Sequence, residues 1–95
     1  MPYLVPEQRE ALDRYIEDLT PHSGGELQYI IAKLIDNFYT KGCGGKPRYG
    51  HMEQIMGALQ GATLEHYRCV VAPYEVKKIK ENGGVYGRYN SSESY

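Results

Sequence analysis

Apolar residues recur along this chain with the period of amphipathic helices, and three segments carry the pattern. In the first segment, residues 6–19, the apolar positions share one helix face at Leu12, Tyr15, Ile16 and Leu19. Pro6 suits the first turn of a helix, where the N–H that it lacks has no intrahelical partner. We therefore predict a first helix over residues 6–19.

The second segment opens with a signal for a helix start. Ser23 and Glu26 have the S-x-x-E spacing of a capping box, in which each side chain satisfies a free backbone N–H. Gly42 favours the end of this helix. An unbroken apolar stripe lies between these signals, at Leu27, Ile30, Ile31, Leu34, Ile35 and Phe38. We expect this stripe to form the core.

The third segment begins near Gly50 and closes at Asn82, which Gly83 and Gly84 follow. A helix over residues 50–82 would be about 50 Å long, more than two shorter helices could cover in one monomer. Its far part must project, fold back at Pro73 or be covered by another subunit. The apolar positions of this segment are Met52, Ile55, Met56, Leu59, Ala62, Thr63, Tyr67, Val70 and Val71.

Together the patterns predict an all-α fold, a single three-helix domain over residues 1–86 with a long C-terminal helix kinked or broken at Pro73. A chain of 95 residues buries too little surface to be more than marginally stable alone. We therefore expect a homo-oligomer, at least a dimer, that assembles through the long helix. The polar, Gly- and Ser-rich residues 87–95 are typical of a flexible tail that only a partner would order.

The charge distribution and the lack of targeting signals restrict the classes of partner that we expect. Residues 1–45 hold four basic and seven acidic side chains, whereas residues 46–88 hold seven basic and four acidic ones. The two halves can pair within one subunit or between subunits. A basic excess of three favours a small anion over duplex nucleic acid, which takes about 6–10 phosphate contacts. No signal peptide or apolar run of membrane-spanning length is present, so we expect a cytoplasmic protein that does not engage a membrane.

Several motifs resemble reactive or ligand-binding sites without matching them. The segment GCGGKPR lacks the P-loop spacing, although its glycine N–H groups could form an anion nest with Lys46 and Arg48. The histidines and cysteines lack the close ligand pairs of structural zinc. No orienting acid and oxyanion site accompany a cysteine or serine beside a histidine. We predict no metal, no cofactor and no enzymatic activity.

Pro73 marks the candidate ligand site. A proline inside a helix costs roughly 3 kcal/mol, and a break here would free a carbonyl and re-aim Tyr74. The surrounding charges also fit a solvated surface with salt bridges, and the break also fits a subunit contact. In the binding hypothesis, Arg68, Lys78 and Lys77 hold phosphate, and Glu26 or Glu75 accepts from ribose or base donors. The tyrosines that would wall or stack are Tyr29, Tyr67, Tyr74 and Tyr86.

Three stretches carry a family resemblance: MPYLVPEQREALDRYIEDL, GGELQYIIAKLI and HYRCVVAPYEVKKIKENGGVY. Together they resemble a family of small phage, bacterial and archaeal proteins that begins MPYI, carries GELNY and ends near YRRVAAPYEDKKIKENGDVY. The resemblance covers nearly the whole chain up to Tyr86. The chain departs from it at Gln28, Cys69 and Gly84, which replace asparagine, arginine and aspartate.

The resemblance implies a small phage-type protein, and by analogy of size and architecture it suggests a function. Small, self-associating helical phage proteins include inhibitors that sequester nucleotide second messengers of bacterial immunity. The leading hypothesis is therefore a non-enzymatic oligomer that binds and sequesters a small anionic nucleotide between its subunits. The alternative is an interaction module that docks a host or phage protein through a tyrosine-rich surface. A third hypothesis is an enzyme acting on such a nucleotide.

Overall fold

The structure is a computed structural model and describes residues 3–86. It divides into two compact units, Met1–Leu59 and Gln60–Tyr95. Every regular element in residues 3–86 is helical, which confirms the all-α prediction. The predicted flexible tail, residues 87–95, lies outside the described residues.

Helix α1 (Pro6–Ile16) begins at the predicted proline and ends three residues earlier than predicted. Its last turn tightens because the Leu19 N–H donates to the Ile16 carbonyl oxygen at 2.8 Å, an i to i+3 bond. The segment before α1 is held by Arg9, whose Nε donates to the Leu4 carbonyl oxygen at 2.6 Å.

Helix α2 (Gly24–Asn37) begins where the capping signal predicted. The Ser23 Oγ accepts from the Glu26 N–H at 3.1 Å, which confirms one arm of the capping box. The other arm reaches one residue further than expected, because the Glu26 Oε1 accepts from the His22 N–H at 2.9 Å. Both side chains thus satisfy backbone donors ahead of or within the first turn.

A π-helical turn (Phe38–Gly42) follows α2 and stops at the predicted glycine. Its i to i+5 bond runs from the Cys43 N–H to the Phe38 carbonyl oxygen at 2.9 Å. Gly44 and Gly45 then adopt φ values of 69° and 75°. The Gly45 N–H donates to the Tyr39 carbonyl oxygen at 3.0 Å. Because this amide already has a partner within the chain, it is not available to an anion, which weakens the anion-nest hypothesis.

Helix α3 (Tyr49–His66) begins one residue before the predicted start. Its first turn is capped by His51, whose Nδ1 accepts from the Arg48 N–H at 3.0 Å. The His51 ring also meets the Phe38 ring edge-on, with ring centres 6.3 Å apart. His51, for which the sequence predicts no zinc site, therefore has a structural role.

A second π-helical turn (Tyr67–Val71) separates α3 from helix α4 (Ala72–Asn82), and Pro73 lies in the first turn of α4. The Ala72 N–H donates to the Tyr67 carbonyl oxygen, closing an i to i+5 ring. Val71 and Ala72 keep helical dihedral angles of −73°, −49° and −61°, −45°. The long C-terminal helix is thus confirmed, and its predicted interruption is a widened turn that ends just before the proline.

The predicted core is wrong for the chain taken by itself. Of the residues that the structure describes, none is buried, and the stripe of α2 shows why. Ile30, Ile35 and Phe38 are half-buried, but Leu27 and Leu34 remain 48% and 52% exposed. The apolar residues of α2 do follow the helical period. The period alone, however, does not say whether another element of the same chain covers the apolar face of the helix. None of the helices within residues 3–86 combines the length and the hydropathy of a membrane-spanning segment.

Candidate functional site

A groove of about 550 Å³ runs along α4 and the turn that follows it. Its floor is made by Ala72, Val76 and Ile79, which are half-buried. These three residues have the i, i+4, i+7 spacing that places side chains on one helix face. The periodicity of α4 therefore creates an apolar floor.

The turn after α4 forms one end of the groove. The Gly83 N–H donates to the Ile79 carbonyl oxygen at 2.8 Å, and Gly83 adopts φ 85° and ψ 152°, a conformation that only glycine adopts readily. The chain then turns so that Val85 and Tyr86 line the groove. Sequence analysis predicted the helix end at Asn82 but missed the lining role of Val85, because no periodic pattern continues past the glycines.

Three tyrosines of the described chain line this groove. Tyr67, Tyr74 and Tyr86 all line it, and they are 52%, 60% and 70% exposed. A tyrosine offers an apolar face for stacking and a hydroxyl that can donate or accept. Their positions bring together three of the four tyrosines predicted to wall a ligand.

The charges of the groove nearly balance. Lys78 Nζ lies 5.6 Å from the centre of the Tyr74 ring and 3.3 Å from Glu81 Oε2. Glu75 also lines the groove, and the C-terminal end of α4 adds a partial negative charge. A single ammonium group in such surroundings suits a ligand with one negative charge near its ring, rather than a polyphosphate.

Two of the predicted phosphate-binding cations do not line the groove. Arg68 Nη2 donates to Glu65 Oε1 at 2.7 Å, and neither of these two residues lines the groove. Lys77 follows Val76 on α4 but is also absent from the groove lining. Among the lining residues in the described range 3–86, Lys78 is therefore the one that brings a cation to the groove.

The remaining two candidates, Glu26 and Tyr29, belong to the first unit. Glu26 is engaged in capping α2, as described above, and Lys33 Nζ lies 5.9 Å from the centre of the Tyr29 ring. Of the nine predicted site residues, the structure brings five together in the groove: Tyr67, Tyr74, Glu75, Lys78 and Tyr86.

Glu65, which sequence analysis did not single out, holds two side chains at once. Its Oε1 accepts from Arg68 and also from the Cys69 thiol, with Sγ 2.9 Å away. This hydrogen bond, followed by desolvation and the nearby carboxylate charge, raises the pKa of Cys69. A raised pKa keeps the thiol protonated, the opposite of what a nucleophilic cysteine requires. The spacing of Glu65 to Arg68 and Cys69, three and four residues, is the signal that could have identified it.

A family model described as a domain of unknown function (DUF6899) matches residues 1–85. The chain belongs to the DUF6899 family. The match extends over all four α-helices and through the Gly83 turn as far as Val85. No curated protein and no solved structure matches the chain.

In this DUF6899 protein, the groove offers the chemistry of binding. Its rings can stack on a planar group, its apolar floor can exclude water, and Lys78 can attract a negative charge. Among the described residues there is no group of three or more histidine, cysteine, aspartate or glutamate side chains placed to hold a metal ion.

Proposed function

We propose that this protein self-associates and sequesters a small anionic ligand with a planar ring, of the nucleotide class, in the groove along α4. The ligand is held without being chemically changed. The resemblance to small phage proteins favours a nucleotide that carries an immune signal in bacteria, which such a protein would withdraw from its receptor by mass action.

The observation that carries the proposal is the placement of three tyrosines and Lys78 around one groove. Its volume of about 550 Å³ falls in the range of small-molecule sites, roughly 300–1,000 Å³. Stacking of one base on an aromatic side chain contributes about 1–3 kcal/mol. Two such contacts and one ion pair together provide specific binding without any reactive group.

Lys78, the one cation among the described lining residues, narrows the ligand class. A cyclic nucleotide has one negative charge for each base, whereas a nucleoside triphosphate concentrates several charges at one end. Lys78 matches the first distribution, and the Glu75 carboxylate would disfavour the second. Glu75 can in turn accept hydrogen bonds from the donors of a base or ribose.

Arg68 would add a second contact by exchanging partners. It is bound to Glu65, with 68% of its own side chain and 20% of the Glu65 side chain exposed. Because the Arg68 guanidinium group is largely exposed, a phosphate can reach it and compete with Glu65. In this proposal, Arg68 leaves Glu65 when the phosphate arrives, which explains how it contributes without lining the groove.

Native mass spectrometry of protein purified from cells tests the proposal, followed by denaturation and identification of any released molecule. An assembly with extra mass that resolves to an intact nucleotide would support sequestration. A recovered, chemically altered nucleotide would support an enzyme instead. A thermal shift with cyclic and linear nucleotides provides an independent measurement, because a ligand at 100 times its Kd adds about 2.7 kcal/mol of stability.

A second candidate function is a protein-interaction module, and the exposure of large apolar side chains favours it. Leu64, Val70 and Tyr86 are 68%, 58% and 70% exposed, as expected of a surface that a protein partner covers. Such a module would give no thermal shift with any nucleotide. It would instead bind a protein of the host or phage through its tyrosines.

A further inference from the structure

The apolar stripe of α2 is exposed at its centre. At the helical period of about 100° per residue, Leu27, Ile31 and Leu34 lie within an arc of about 60°. They are 48%, 36% and 52% exposed, although they are the middle of the most regular apolar pattern in the chain. Within the first unit, α2 contacts mainly the π-helical turn that follows it along the chain.

The stripe carries no charge. The charged side chains of α2 are Glu26, Lys33 and Asp36, and each lies about 100° or more around the helix from Leu27. When a surface packs against its own copy, a charge near the two-fold axis meets its own like charge, and a charge elsewhere on an apolar stripe is buried against apolar side chains. Because this stripe has none, two copies can bring their stripes together without repulsion.

The charges beside the stripe favour one orientation. Glu26 and Lys33 lie on the same edge of α2, about 10 Å apart along the helix. In an antiparallel pair of helices, like edges meet, so Glu26 of each copy approaches Lys33 of the other. In a parallel pair, this edge meets the opposite edge, which holds Gln28 and Ile35 and offers no opposite charge.

We propose that a second copy of this chain covers the α2 stripe, with the two α2 helices antiparallel. Leu27 of each copy packs against Leu34 of the other, and Ile31 packs against Ile31 at the two-fold axis. This inference rests on the self-association in the proposed function and adds the surface and its orientation. It also moves the contact from the long C-terminal helix to α2, because the apolar residues of α3 are spread more evenly around the helix axis.

Single-cysteine cross-linking of the full chain tests the orientation, in a Cys43→Ser, Cys69→Ser background. Under oxidising conditions, Ile31→Cys is expected to form a dimeric disulfide. A mixture of Leu27→Cys and Leu34→Cys protein is expected to form the mixed dimer, whereas neither variant cross-links efficiently alone. Asp36→Cys, on the polar side of α2, is the matched control and stays monomeric on a denaturing gel.

Efficient self-cross-linking of Leu27→Cys and of Leu34→Cys, without enrichment of the mixed dimer, would overturn the antiparallel arrangement. Light scattering that shows a monomer at all accessible concentrations would overturn both this inference and the self-association. An oligomer without cross-links at positions 27, 31 and 34 would overturn the α2 surface alone. Nucleotide binding in the groove is measured on the same samples. A failure of ligand binding is thereby distinguished from a failure of the α2 contact.

Disruption provides a second measurement. Leu34→Lys places a charge in the proposed contact and is expected to raise the dimer dissociation constant at least about tenfold. An unchanged dissociation constant in a variant with an unchanged circular dichroism spectrum would contradict the proposal. Should Leu34→Lys lose its helical spectrum, the cross-linking pattern decides the question on its own.

Discussion

Replacement of Tyr74 by alanine tests the ligand site most directly, because the chain contains a matched control. Tyr74 and Tyr29 are 60% and 64% exposed. Each has a lysine four residues later on its helix, Lys78 or Lys33, with Nζ 5.6 Å or 5.9 Å from the ring centre. Only Tyr74 lines the groove. The two substitutions therefore remove the same side chain from similar surroundings.

The magnitude follows from one lost stacking contact of about 1–3 kcal/mol. The Kd for the nucleotide is expected to rise about 5- to 150-fold in Tyr74→Ala and to stay unchanged in Tyr29→Ala. Each substitution also removes a cation–π contact of about 0.5–1 kcal/mol, so both variants should lose similar small amounts of stability. Because both variants share this loss, the difference between their Kd values measures what the Tyr74 ring contributes to ligand binding in the groove.

Isothermal titration calorimetry measures both constants, using a nucleotide identified by mass spectrometry of the purified protein. Equal affinity of Tyr74→Ala and the parent chain would refute the stacking role of the groove. Equal weakening in both variants would show that the ligand also contacts the first unit. Lys78→Gln provides a further measurement, because loss of this lining cation should weaken binding of an anionic ligand more than of its neutral nucleoside.

Three further predictions concern local geometry. Ser23→Ala removes the cap of α2 and should lower the free energy of unfolding by about 0.5–2 kcal/mol in urea titration, whereas Ser23→Asn should preserve it. Gly83→Ala places a side chain at φ 85° and should cost on the order of 1–3 kcal/mol in the same assay, whereas Gly84→Ala, where φ is not positive, should not incur this backbone strain. Glu65→Gln removes the carboxylate that raises the pKa of Cys69, so alkylation of that thiol at a fixed, mildly alkaline pH should become severalfold faster. An unchanged rate, followed by peptide mass spectrometry, would contradict the role assigned to Glu65.

The elements could be predicted from the sequence because their signals are local. The Ser23 cap and the glycine at position 42 bound the second helical segment, and Gly83 follows the last one, where the structure places its end. Helix α1 differs because the acidic residues Glu17 and Asp18 form a turn while Leu19 continues the apolar period. A prediction from the apolar period alone therefore places the end of α1 three residues too late.

The tertiary environment could not be predicted in the same way. An apolar stripe such as that of α2 shows that a face seeks cover, but its sequence does not say which surface provides the cover. The candidate site was partly predictable, since Tyr74, Glu75 and Lys78 are close in sequence and share α4. For Glu26, distant in sequence, the pattern predicts both a helix cap and a ligand contact, and the structure shows the cap, because its Oε1 accepts from the His22 N–H.

The second π-helical turn connects the question of Pro73 to the groove. A regular α-helix through residue 73 would set the proline ring against the Cys69 carbonyl. The i to i+5 bond from Ala72 to Tyr67 widens the turn instead, so the helix continues and the cost of the proline is reduced. A turn with one more residue than an α-helical turn also rotates the side chains that follow it, by about 100° relative to a regular helix. Tyr67, Ala72 and Tyr74 all line the groove in the register that this turn sets. Ala72, whose N–H closes the widened turn, lines the groove together with Tyr67 and so links the accommodation of Pro73 to the groove, whereas Arg68 and Cys69 reach Glu65 at the ordinary helical spacings of three and four residues.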